Sequence, residues 1–188
     1  PVGQWTPLVG FAGTFDGQGH TISGLYGKTE KSMMSFFGEI GTTGVIKNLK
    51  VTNSYFEAEK TKSDSWGMVA GVVAKSWGTV DTVYSNATIK NANASSSGNS
   101  AGIVGGIIGS VNNAWFDGSL ETWGQFVGGI AGLMGNATVK RESGAIVAVT
   151  ALNGVTGGEF TKGMTNNGDV TIYGYAPNVY VSGGFGYL

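Results

Sequence analysis

Ile103-Val104-Gly105-Gly106-Ile107-Ile108-Gly109 and Phe126-Val127-Gly128-Gly129-Ile130-Ala131-Gly132 are two copies of one phrase. An apolar pair, a glycine, two residues and then glycine or alanine also read at Phe36-Phe37-Gly38-Glu39-Ile40-Gly41 and Met68-Val69-Ala70-Gly71-Val72-Val73-Ala74. Val181-Ser182-Gly183-Gly184-Phe185-Gly186 is a weaker fifth copy. Anchored on Gly38, Gly71, Gly106, Gly129 and Gly183, the copies lie 33, 35, 23 and 54 residues apart. With 54 read as twice 27, that period is irregular but falls in the range of roughly 20–50 residues expected of solenoid repeats.

A second apolar run, rich in β-branched residues, follows the copies: Val45 to Val51, Thr79 to Tyr84 and Ala137-Thr138-Val139. Ile46, Leu49 and Val51 do not alternate perfectly, and no segment joins helical periodicity to good helix formers. Short strands broken by Asp16-Gly17, Asn112-Asn113, Asp117-Gly118, Asn153-Gly154 and Asn166-Asn167-Gly168-Asp169 fit better. One strand–turn–strand unit cannot bury its apolar face alone, but stacked units share a continuous core and pair their backbones. The reading is all-β: one parallel β-helix (β-solenoid) domain over 1–188, of about six or seven irregular turns. The Gly-x-x-Gly positions are expected at one corner of each turn. Residues 57–65 (EAEKTKSDS) and 91–100 (NANASSSGNS) are expected as exposed loops.

Composition agrees with a weakly charged solenoid. Thirty-four of 188 residues are glycine but three are proline, which excludes collagen. Eleven basic and twelve acidic residues leave a net charge of −1, so broad attraction to nucleic acid or anionic membrane is not expected. No apolar run is long enough for a membrane helix. Without cysteine there is no disulfide and no thiolate chemistry, and a single histidine, His20, rules out the usual two-His zinc sites. No metal or cofactor is expected.

The N-terminal third is the most specific text. Trp5-Thr6-Pro7-Leu8-Val9 leads into Phe11-Ala12-Gly13-Thr14-Phe15-Asp16-Gly17-Gln18-Gly19-His20-Thr21-Ile22-Ser23-Gly24-Leu25, then Phe36 to Ile40 and Ile46-Lys47-Asn48-Leu49. This resembles the entry segment of bacterial secreted proteins with GLUG-type repeats, and residues 104–109 and 127–132 resemble the repeat itself. The resemblance covers about three quarters of the chain and thins after Gly144. It implies a right-handed parallel β-helix on a secreted or cell-surface bacterial protein, adhesin-like or from the non-catalytic region of an immunoglobulin A peptidase. That repeat carries no family-wide catalytic residues, so none is assigned here.

Candidate chemistry is sparse. Asp16-Gly17-Gln18-Gly19-His20 reads as a tight turn into a strand, and its glycines lack the Lys-Ser/Thr of a phosphate loop. Asp117, Glu121 and Asp81 could place two carboxylates on one face, as glycoside cleavage needs, although solvated surface acids are the simpler reading. Lys140-Arg141-Glu142 reads as an exposed corner. Ser65-Trp66-Gly67, Ser76-Trp77-Gly78 and Thr122-Trp123-Gly124 share a shape, and Trp115 adds another ring. If Trp66, Trp77, Trp115 and Trp123 reach one face they can stack on sugars; otherwise they fill corners. Tyr180, Phe185, Tyr187 and Leu188, near a weakly charged C-terminal end, are candidates for self-association.

Three functions remain open from sequence. The first is a non-enzymatic secreted or surface module acting as an adhesin-type stalk or interaction surface. Its partner would be a host or matrix glycan or protein. The second is a carbohydrate-binding or carbohydrate-cleaving β-helix. The third is a self-assembling extracellular fibre subunit, or equally a piece of a longer solenoid.

Overall fold

The imperfect alternation of Val45-Ile46-Lys47-Asn48-Leu49-Lys50-Val51 has a backbone cause. Asn48 sits at φ 52°, and the equivalent residues of the next two turns, Thr82 and Asn113, sit at φ 53° and 45°. A left-handed residue bends the strand and drops out of the ladder, so pairing runs Asp81↔Lys47 and then Val83↔Leu49. Ile46, Leu49 and Val51 all point inward on either side of that bend. Alternation holds once the bent residue is skipped. Asn tolerates this conformation, whereas β-branched Thr82 is strained in it.

The computed structural model of the chain describes residues 3–30, 33–59, 67–92, 99–107, 109–122, 126–134, 137–142, 145–151, 159–160, 165–166, 169–172 and 180–182. All described elements are strands, and most stack in parallel as four faces of a β-solenoid. The first face stacks Thr14–Asp16 and Thr21–Ser23, Val45–Thr52, Thr79–Ser85 and Ser110–Phe116, then Glu159–Phe160 and Thr165–Asn166. The second stacks Tyr26–Thr29, Tyr55–Ala58, Thr88–Asn91, Ser119–Thr122 and Asp169–Ile172. The third stacks Met33–Met34, Met68–Ala70, Asn99–Ala101, Phe126–Gly128 and Tyr180–Ser182. The fourth stacks Phe37–Ile40, Val73–Ser76, Val104–Ile107 and Ala131–Met134.

About three regular turns carry the chain from Thr14–Asp16 to Ser110–Phe116, not the six or seven expected. Successive first-face strands lie 31–34 residues apart, from Val45 to Thr79 to Ser110. The expected number also counted Ala137-Thr138-Val139 as another turn. Those residues belong to Ala137–Glu142, which pairs antiparallel with Ala145–Ala151 in a hairpin outside the four faces. Lys140-Arg141-Glu142 lies in the same strand, where the register shifts between Lys140 and Arg141, and is therefore not a solenoid corner.

Inside, each face contributes one row of apolar residues per turn. Ile46, Val80 and Val111 stack in register, as do Phe56, Ile89 and Leu120, and all are 0–1% exposed. Each such side chain contributes about 1.5–3 kcal/mol when fully buried. Corners are set by glycine columns, which include two of the anchors read in sequence and not two others. Gly38 lies inside a strand of the fourth face and Gly106 inside another, whereas Gly71, Gly102 and Gly129 form the corner between third and fourth faces. A Cβ on Gly102 would collide with the Gly129 carbonyl oxygen and the Phe116 ring.

One interior corner is polar. Asn91 donates from its amide to Ser100 Oγ at 2.9 Å and to the Gly67 carbonyl at 3.2 Å, and Ser100 Oγ lies 2.9 Å from Thr122 Oγ1. All three side chains are fully buried, so their mutual bonds offset the cost of desolvation. The expected loops shrink accordingly: Glu57 and Ala58 belong to a second-face strand, Asn91 is core, and Asn99–Ala101 is a third-face strand. Residues 60–66 and 93–98 lie outside the described residues. At the N-terminal end Trp5 covers the core, stacking on Phe36 at 5.2 Å and donating its indole N–H to the Ser35 and Phe36 carbonyls.

Candidate functional site

Outward positions also form columns, because in-register parallel strands bring equivalent residues of successive turns about 4.8 Å apart. On the second face the column reads Lys28, Glu57, Lys90, Glu121, with the sign alternating at every turn. Lys28 pairs with Glu57 at 3.7 Å and with Glu59 at 2.6 Å, and Lys90 pairs with Glu121 at 3.3 Å. Glu59 holds the Lys28 ammonium above its ordinary pKa. Beside this column Tyr26 stacks on Tyr55 at 5.5 Å, and the Tyr55 phenol donates to Glu57 at 2.6 Å. Burial, then that bond, pushes the Tyr55 pKa up.

The first face has a similar outer column: Asp16, Lys47, Asp81, Asn112. Lys47 reaches Asp16 at 3.4 Å. The bent residues add a second set of bonds: Asn48 donates to Asp16 and Asn113 donates to Asp81, each at 2.9 Å. The Asn48 amide, then the Gln18 backbone N–H, hold the Asp16 carboxyl below its ordinary pKa.

Beyond the bend lies a different column: Thr21, Lys50, Tyr84, Trp115. The bend makes the outer surface concave there, and the groove encloses about 550 Å³. Its walls include Gln18, Asn48, Lys50, Thr82, Tyr84 and Trp115, and no carboxylate among the described residues lines it. The Tyr84 phenol bonds the Asp117 carboxylate just outside; burial and that carboxylate raise its pKa.

Two of the four sequence-predicted tryptophans, Trp77 and Trp115, lie among the described residues, at different places in the fold. Trp115 is half-buried in the groove wall. Trp77 lies at the corner between fourth and first faces, where its indole N–H donates to Glu39 Oε1 at 2.9 Å and Lys75 sits 4.8 Å over its ring. Lys75 also pairs with Glu39 at 3.5 Å, so Trp77 closes a local cluster. Trp66 and Trp123 lie outside the described residues, as do Phe185, Tyr187 and Leu188. Tyr180 begins a third-face strand paired with Phe126, and its side chain lies outside the description. Trp77 follows the fourth-face strand Val73–Ser76; along the chain, Trp66 and Trp123 each come between a second-face and a third-face strand.

Asp81 and Glu121, weighed as a possible carboxylate pair, lie on different faces, the first and the second. Asp81 faces Lys47 and Asn112 across its ladder, Glu121 faces Lys90, and Asp117 bonds Tyr84. Among the described residues no group of three or more acidic, His or Cys side chains could hold a metal ion. His20 lies in the tight turn read from sequence, with its backbone N–H donating to the Gly17 carbonyl at 2.7 Å and its side chain exposed. Asn86 accepts the Asn53 backbone N–H on its side-chain oxygen at 2.7 Å. The element that sequence reading passed over is the groove. Its signal was Asn48 and Asn113, each at the break in an otherwise alternating strand.

No family model matches the chain, and no solved structure matches it. The chain is 33% identical over 100 residues, 53% of its length, to halomucin of Haloquadratum walsbyi. It is 27% identical over 84 residues, 42% of its length, to a Gly-rich membrane protein of Evansella cellulosilytica. It spans 1% and 9% of those two proteins. No helix among the described residues is long and apolar enough to cross a membrane, which says nothing of β-barrels.

Proposed function

We propose that this chain is a non-enzymatic, right-handed β-solenoid module of a much larger secreted or cell-surface protein, working as a stiff stalk or interaction surface. The observation that carries this reading is the alternating outer charge column on the second face, Lys28, Glu57, Lys90, Glu121, beside a continuous interior. Ionic residues there join turn to turn. A module of this kind gains from stiffness, and each turn is tied to the next on four faces. The right hand is the one that parallel strand–connection–strand units overwhelmingly take. The small share of its relatives' length supports a module within a long chain, and the name of the Gly-rich membrane relative supports a surface location. Its partner is a glycan or a protein outside the cell.

The test is location and shape together. Antibody raised against the purified chain should label intact, unpermeabilised cells of the source, and negative-stain images should show short discrete rods at every concentration. Labelling only after permeabilisation would overturn the surface reading. Filaments lengthening with concentration would replace the stalk by a self-assembling fibre.

A further inference from the structure

Two side-chain groups on the first face lack partners of the kind their equivalents have. Five lysines have described side chains; Lys28, Lys47, Lys75 and Lys90 each hold a carboxylate within 4 Å, and Lys50, among the described residues, holds none. Three tryptophans have described side chains. The indole N–H groups of Trp5 and Trp77 are hydrogen-bonded, and that of Trp115, among the described residues, is not. Lys50 and Trp115 are not scattered. They flank Tyr84 in one register column on the wall of one groove.

From this juxtaposition we propose that the strip Thr21–Lys50–Tyr84–Trp115 binds a linear acidic glycan, a chain of sugar rings bearing carboxylates. The proposal rests on the interaction-surface reading above and names its ligand. Trp115 and Tyr84 offer flat apolar area to sugar rings, and the indole N–H and the Gln18 side-chain amide on the groove wall serve hydroxyl groups. Lys50 meets a carboxylate. The strip runs along the stack for about 14 Å at one strand spacing per residue, which suits an extended chain. Three acids border it, and each is already engaged: Asp16 by Lys47 and Asn48, Asp81 by Asn113 and Thr82, and Asp117 by Tyr84. On the groove wall itself the charged side chain among the described residues is Lys50, so an anionic group of the ligand complements it there.

Competing occupants fit less well. An extended peptide gains its affinity by adding a strand to an open sheet edge, whereas Lys50 and Tyr84 belong to strands paired on both sides. Nucleic acid needs many cations, and this strip has one. Cleavage needs two facing carboxylates, and the groove wall has none, so the strip binds rather than cuts.

The test is calorimetric titration of the purified chain with tetragalacturonic acid, its methyl ester and tetraglutamate. Lys50→Gln, Trp115→Ala and Trp77→Phe are titrated beside it. The acid should bind, the ester and the peptide about ten-fold more weakly or not at all. Lys50→Gln should abolish the preference for acid over ester, Trp115→Ala should weaken both sugars about ten-fold, and Trp77→Phe should change nothing. No binding of the acid by about 10 mM overturns the proposal. So does equal binding of ester or peptide, or indifference to Lys50→Gln. Should Trp115→Ala fail to fold, the exposed Lys50→Gln decides the question alone. Failure here leaves the rods and cell labelling untouched, so it is distinguishable from failure of the stalk reading.

Discussion

The second and first faces carry neighbouring columns built by the same rule and put to different uses. On the second face Lys28, Glu57, Lys90 and Glu121 alternate in sign and bond to one another between turns. Past the bend of the first face, Thr21, Lys50, Tyr84 and Trp115 share the same spacing, but the lysine has no acid opposite and the tryptophan keeps its N–H free among the described residues. A closed column stabilises register, because a slip of one turn would set like charges opposite each other. An open column contributes little to register and leaves its polar groups for something else.

Both columns depend on the glycine corners, so the largest break comes from there. Gly102→Val puts branched carbons where the Gly129 carbonyl and the Phe116 ring already lie. Overpacking of this kind costs about 3 kcal/mol or more, and both faces should lose register together. Urea unfolding should show a much lower midpoint or no folded baseline. A near-wild-type midpoint would mean that the stack is looser than its corners suggest.

The parallel all-β stack was legible because buried rows repeat: Ile46, Val80 and Val111 are β-branched residues at equivalent places in successive turns. The corner glycines were legible as glycines but not in register. Gly71 and Gly129 are true corner residues while Gly38 and Gly106 lie within strands, because one phrase spans both a corner and the strand after it. Turn number failed for a related reason. The Ala137–Glu142 hairpin has the composition of a solenoid strand, and only its pairing partner tells it apart. The groove was hidden because it depends on backbone sign at Asn48, Thr82 and Asn113, and Thr82 gives no hint of a left-handed conformation. Trp115 was singled out as an aromatic; its difference from Trp77 lies in which one meets a carboxylate.

Thr82 offers the next test. It occupies a conformation its neighbours in the column fill with asparagine, and a β-branched residue there costs about 1 kcal/mol. Thr82→Asn should therefore raise stability by about that amount, seen as a higher urea midpoint with unchanged slope. An unchanged midpoint would show that the bend imposes no strain at that position.

Charge reversal then separates the columns directly. Glu121→Lys sets a cation against Lys90 and should cost about 0.5 kcal/mol, while adding Lys90→Glu should recover most of it. Lys50→Glu on the open column should leave the midpoint where it was. A loss at Lys50 equal to that at Glu121 would erase the distinction between the two faces.

The smallest effect sharpens the border between them. Asp16 stands at the edge of the groove with its carboxyl held below the ordinary value of 3.8, first by the Asn48 amide and next by the Gln18 backbone N–H. A carboxyl whose pKa is depressed on folding stabilises the fold above its unfolded value and loses that contribution as pH falls through the folded one. Asp16→Asn should therefore lower the urea midpoint slightly, and by the same amount across pH 5 to 8. The gap between the two proteins should begin to close near pH 3.8, where the unfolded chain starts to take up the proton, and vanish as pH falls through the lower value of the folded carboxyl. The other acids titrate in both proteins and cancel in the difference. A gap that persists at low pH would mean that Asp16 acts through the shape of its turn rather than through its charge, and the bend beside the groove would then be held by the backbone alone.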